Sequence, residues 1–147
     1  MGECFPRLSV SDPGLVENGA SVRVLICGDR GWTDQGMIAL AMHKLLLAIG
    51  PPTDHLIIHG AYRGADRLAE AVATRLGIPV NAHPAKWSLF GLAAGPRRNR
   101  EMLDAGPHEV WAFHDDLEHS KGTKDMLAQA RAAGIPVRHF AHESRSA

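Results

Sequence analysis

Two short endings, RLGIPV at 75–80 and RAAGIPV at 131–137, constrain the fold more than any other feature of the chain. Each sets a glycine after a helix-periodic stretch, then a proline two residues on and a β-branched residue after it. A helix stopped by glycine and followed at once by an apolar strand is a helix-to-strand corner. The two corners read as one structural solution used twice rather than as a duplicated domain. Around them, strand-like apolar runs at 22–27, 55–58, 78–81, 110–113 and 136–139 alternate with helical stretches at 38–49, 66–76, 97–103 and 123–133. Ile38, Met42, Leu45 and Ile49 make one helical stripe, as do Leu68, Val72 and Leu76. Strand and helix in strict alternation predict a parallel sheet with right-handed crossovers and helices on both faces. The fold class is therefore α/β: a single Rossmann-like doubly wound domain of about five mostly parallel strands over 21–141. Residues 1–20, with prolines, glycines and no periodicity, are expected to be a flexible leader, and 142–147 a tail.

The totals agree with one domain. A chain of 147 residues, 45% hydrophobic and 22% charged, can bury one core and falls in the globular class. No apolar run approaches the roughly 20 residues that span a bilayer. No secretory signal pattern opens the chain, so a cytoplasmic location and no membrane partner are expected. The two cysteines do not make a disulfide framework, and Cys27, closing an apolar strand, reads as a small buried hydrophobe. With 16 basic and 16 acidic residues, no global field draws the chain to nucleic acid. Nine histidines are present without an H-E-x-x-H or C-x-x-C pattern, so neither a metal nor a cofactor is expected.

In a doubly wound sheet the crevice opens at the carboxyl ends of the strands where strand order reverses. Three loops should converge there: GDRGWTD at 28–34, HGAYRGAD at 59–66 and HDDLEHSKGT at 114–123. The first loop fits neither G-x-G-x-x-G nor G-x-x-x-x-G-K-[ST], which argues against ordinary dinucleotide and P-loop sites. Gly28 and Gly31 still let backbone approach a ligand, Arg30 is a planar fork for phosphate, and Trp32 stands beside them. In the second loop Gly60 and Gly64 free the backbone, Arg63 is a phosphate candidate, and Asp66 suits a helix cap or a ribose hydroxyl. Arg97, Arg98 and Arg100 crowd a helix start, against the macrodipole, which points to an anion facing one or two of them. Asn99 lies among them, and Trp87 is placed to stack on a base or to pack beneath the loop. Gly122 and Thr123 can present N–H and hydroxyl groups at a helix start, with Asp125 in its first turn.

Taken in order, the stretches VLICGDRGWTD, LIIHGAYRGADRLAEAVATRLGIPV, AKWSLFGLAAGPRRNREML and GTKDML resemble the SLOG superfamily, in its YspA-like branch. The resemblance covers most of 22–139. It implies a domain that binds nucleotides or nucleotide-derived molecules, of the ADP-ribose, NAD or nucleoside phosphate kind, as a sensor or ligand-binding domain. The superfamily also holds the LOG phosphoribohydrolases, which cleave the N-glycosidic bond of nucleoside monophosphates with an arginine and a glutamate. Arg98-Asn99 is similar to the first of their motifs, and Gly122-Thr123-Lys124-Asp125 to the second, with aspartate where glutamate is expected and without the PGG element. On that alternative Arg98 and Asp125 are the catalytic pair. A DprA-like relative handles DNA, which makes single-strand binding the second alternative. LOG-like relatives imply a homodimer.

Overall fold

The computed structural model describes residues 21–51 and 54–142. The leader expected over 1–20 and the end of the expected tail lie outside the described residues. Five strands form one parallel sheet: β1 (Arg23–Gly28), β2 (Leu56–His59), β3 (Val80–Ala82), β4 (Glu109–Phe113) and β5 (Val137–Phe140), in the order β3-β2-β1-β4-β5. The helices are α1 (Gln35–Ile49), α2 (Ala65–Leu76), a short α3 (Trp87–Phe90), α4 (Ala94–Asp104) and α5 (Gly122–Ala132). Strand β1 pairs with both β2 and β4, so the order reverses between β1 and β4, where the ligand crevice of such a fold lies.

Successive side chains of a strand point to opposite faces, and β1 feeds two cores in this way. Val24 and Ile26 join Ile57, Trp111 and Phe113 against α1 and α2, whereas Leu25 and Cys27 join Ile58, Val110 and Ala112 against Met102 of α4 and Met126 and Leu127 of α5. Covering both faces is why these strands are near-continuous apolar runs rather than alternating ones. The predicted corners are present. Gly77 adopts φ 79° and donates to Ala73 and Thr74 carbonyls, and Gly134 adopts φ 77° just past α5.

Element starts differ from the sequence reading for local reasons. Asp34 caps α1 through Met37 N–H at 3.0 Å, which starts that helix three residues earlier than its apolar stripe. Ile78 N–H closes α2 on the Ala73 carbonyl, so β3 begins only at Val80. Helix α4 starts at Ala94 and takes Pro96 in its first turn, which leaves Arg98 and Arg100 in the second turn rather than at the helix start. His142, first residue of the expected tail, is seated: its ring nitrogens lie 2.8 Å from Asp34 and 2.8 Å from Asp115, and it stacks on Trp32.

Candidate functional site

The first two loops are joined by backbone contact. Asp29 N–H donates to the Phe113 carbonyl at 2.9 Å, and the Asp29 carbonyl accepts from Trp32 N–H and Ala65 N–H, both at 3.1 Å. A Cβ on Gly28 would stand 2.2 Å from the Phe113 carbonyl oxygen, and one on Gly64, at φ 79°, 2.3 Å from that of Asp29. Gly28 thus lets the end of β1 pack on the end of β4, and Gly64 lets the second loop pack on the first, a use different from the ligand approach expected of Gly28. Gly31 donates to Asp29 Oδ1 at 2.9 Å, closing a local turn.

Trp32, expected among the ligand contacts, is only 4% exposed. Phe113 meets it edge-on at 5.8 Å, His142 stacks on it at 4.8 Å, and its Nε1 donates to the Asp34 carbonyl. It belongs to the core beneath the crevice. Charge around His142 is mutually supported. Hydrogen bonds with Asp115 and Asp34 raise its pKa, and the same contacts, with Met37 N–H, hold Asp34 below the usual carboxylate range.

The turn after β2 is held by side chains rather than left open. Asp66 Oδ2 accepts from Gly60 N–H at 3.1 Å and Tyr62 N–H at 3.3 Å, and His59 Nδ1 accepts from Ala61 N–H at 2.9 Å. Ala61 sits at φ 61°, a left-handed conformation that alanine adopts only when its surroundings impose it. Asp66 therefore does not cap α2, as the sequence suggested; Gly64 stands at that position without a side-chain cap. Burial pushes the Asp66 carboxyl up to about 6, against the pull of Tyr62 N–H, Arg98 and Gly60 N–H. His59 is fully buried, and burial lowers its pKa below the usual histidine range. With Nδ1 accepting, its proton sits on Nε2, which lies 3.5 Å from Glu70 Oε1, beyond a formed hydrogen bond. Cys27 is buried nearby, and burial pushes its thiol well up, the Asp66 charge adding to it. It is the small hydrophobe the sequence suggested.

Arg98 crosses the crevice. Its Nη1 donates to the Gly60 carbonyl at 2.7 Å and its Nε to Asn99 Oδ1 at 3.1 Å. Asn99 Nδ2 in turn donates to the Gly122 carbonyl at 3.2 Å and Asp125 Oδ2 at 2.9 Å. The same Asp125 oxygen accepts from Gln129 Nε2 at 2.7 Å. One chain of hydrogen bonds thus links the β2 turn, α4 and the first turn of α5. Arg97 takes no part in this chain, its guanidinium lying 3.8 Å from the Phe90 ring centroid, and Arg100 is exposed. Lys124 reaches the Glu118 carbonyl at 3.5 Å. Thr123 is buried, Gly122 is exposed with open space around it, and Arg63 is exposed.

An open groove of about 800 Å³ runs along this network, within the range of small-molecule sites. Lys86, Arg97, Arg98 and Arg100 line it, with Glu101, Asp104 and Asp125. Neither this groove nor a hollow of about 340 Å³ between α1 and β5 is lined by residues of the three loops at 28–34, 59–66 and 114–123. The site residues that sequence reading missed are Asp29, His59, Tyr62 and Gln129. Gln129 was within reach of it, since it stands four residues after Asp125 on one helix face.

Residues 22–90, which carry the first two loops, match the YspA, cpYpsA-related SLOG family. The gene 61 protein of Mycobacterium phage D29 is 36% identical over 127 residues, spanning 80% of this chain and 95% of that protein. The X-ray structure of DNA processing protein A (DprA) from Streptococcus pneumoniae shares the fold, with a TM-score of 0.60 at 18% identity over 86% of this chain. The chain spans about half of that protein, 52% of its length. Motifs, topology and relatives agree: the chain belongs to the YspA, cpYpsA-related SLOG family.

Proposed function

We propose that the crevice binds a nucleotide or nucleotide-derived small molecule, with its phosphate at Arg98, as a sensor or ligand-binding domain. The observation that carries this reading is the Arg98 guanidinium, held by Asn99 and by Gly60, just past the carboxyl end of β2, and lining an open groove. A guanidinium fixed in advance loses little entropy when it meets an anion. Gly122 and Thr123, at the start of α5, are next to it through Asn99.

A second reading has one observation in its favour: Arg98 and Asp125 line the same groove, as a nucleoside monophosphate N-glycosidase would need. Asp125 Oδ2 is engaged by two amides, which suits a structural carboxylate better than a base. The DNA processing named for the structural neighbour is the weaker reading, because 16 basic residues are balanced by 16 acidic ones.

Thermal shift and product analysis in parallel, with AMP, other nucleoside monophosphates, NAD and ADP-ribose, separate the readings. A ligand at about 100 times its Kd stabilises by about 2.7 kcal/mol, roughly 5–10 °C in a domain of this size. Such a shift without turnover, lost in Arg98→Ala, supports binding. Free base released and abolished by Asp125→Asn makes the chain an N-glycosidase. No shift with any of them refutes both.

A further inference from the structure

Three side chains that follow three successive strands lie against one another near the carboxyl ends of the sheet. Arg30, after β1, donates from Nη1 to Tyr62 Oη at 2.9 Å and lies 5.2 Å from that ring's centroid. Tyr62, after β2, lies 6.4 Å from the Trp87 ring at 49°. Trp87, after β3, is 46% exposed and rests against Gly95, where a Cβ would come within 3.3 Å of the indole. Neither Tyr62 nor Trp87 belongs to the two hydrophobic cores. An indole seated by a glycine yet left half open does little for the fold, and its free face suits a flat ring. Tyr62 is also two residues from Gly60, which holds Arg98, so this shelf and the Arg98 guanidinium hang on one turn.

We propose that Arg30, Tyr62 and Trp87 form the base subsite of the crevice, selecting ligands that carry a heteroaromatic base over bare sugar phosphates. The inference rests on the nucleotide-binding reading above. It reassigns Arg30 from phosphate to base: its guanidinium is committed to the phenol and extends the stacking surface.

The test titrates the full chain with AMP, adenosine and ribose 5-phosphate, following tryptophan emission and heat. Trp32 and Trp111 are buried, so ligand-dependent quenching reports on Trp87. AMP should quench and bind more tightly than ribose 5-phosphate, which should leave emission unchanged. Trp87→Ala should weaken AMP by about 5- to 150-fold and leave ribose 5-phosphate unaffected, whereas Trp87→Phe should keep most of the affinity. Tyr62→Leu should act selectively in the same way, and serves if Trp87→Ala does not fold. Arg98→Ala should weaken AMP and ribose 5-phosphate together. Unchanged AMP affinity in folded Trp87→Ala overturns the shelf and leaves the phosphate site standing. No binding of any of the three to the wild type overturns both.

Discussion

Replacing Asp66 by asparagine should make the protein more stable at neutral pH, although it removes a charge from the centre of the crevice. The carboxyl is 8% exposed and titrates at about 6 when folded, against an ordinary 3.8. A carboxyl whose folded pKa is raised favours the folded state below its ordinary pKa, and that advantage fades as pH climbs from about 3.8 to about 6. At 1.36 kcal/mol per pH unit the interval is worth about 3 kcal/mol. Asparagine keeps an oxygen to accept from Gly60 and Tyr62 N–H and never ionises, so it imitates the protonated acid. Urea unfolding of both proteins from pH 3.5 to 7.5 should show near-equal stability at the acid end. The variant should lead by about 3 kcal/mol, roughly 6–12 °C in Tm, at the neutral end. Asp34, Asp115 and His59 also titrate, but they are common to both proteins and drop out of the difference. A difference that stays flat with pH, or a variant less stable at pH 7.5, would refute the argument that burial dominates this carboxyl.

Three further expectations follow from the same contacts. Because Arg98 lowers the Asp66 pKa, an anion that engages Arg98 should raise it again; binding near pH 6.5 should take up a fraction of a proton, measured by calorimetry in buffers of different ionisation enthalpy. Gly64→Ala forces a left-handed alanine into the Asp29 and Arg30 backbone and should cost at least about 2 kcal/mol in chemical denaturation. His142 gains its raised pKa from Asp115 and Asp34, so its ion pairs are full below its ordinary 6.5 and are lost as pH rises through the raised value. In an NMR titration its pKa should lie above 6.5 and fall in Asp115→Asn; a wild-type value at or below 6.5 would refute the clamp.

The fold was legible because its signals are local. Glycine after a helix, proline after the glycine and an apolar run beyond them each act within a few residues, and they place the two helix-to-strand corners that lead into β3 and β5. The convergence of three loops followed from topology alone. What stayed hidden depends on register and rotation. Trp32 sits in a glycine-rich loop with no periodicity to declare its direction; only the pairing of Gly28 with Phe113 turns it into the core. Three arginines close together in sequence do not say which one turns inward, since that depends on where α4 begins. Asp66 suited a helix cap or a ribose hydroxyl; the helix starts at the residue before it, which removes the cap, and the carboxylate turns back to the loop's own N–H groups.

Seating backbone directly on backbone at Gly28 and Gly64 divides the crevice into a part that cannot vary and a part that can. The floor tolerates no added atom, whereas α3 and the turn after it, over 87–93, bury none of their side chains. A library randomised over 87–93 should yield folded members with altered ligand preference, while one randomised at the two glycines should yield few that fold at all. Retargeting this domain is thus a task for its rim, carried on a floor that accepts one amino acid at each of two positions.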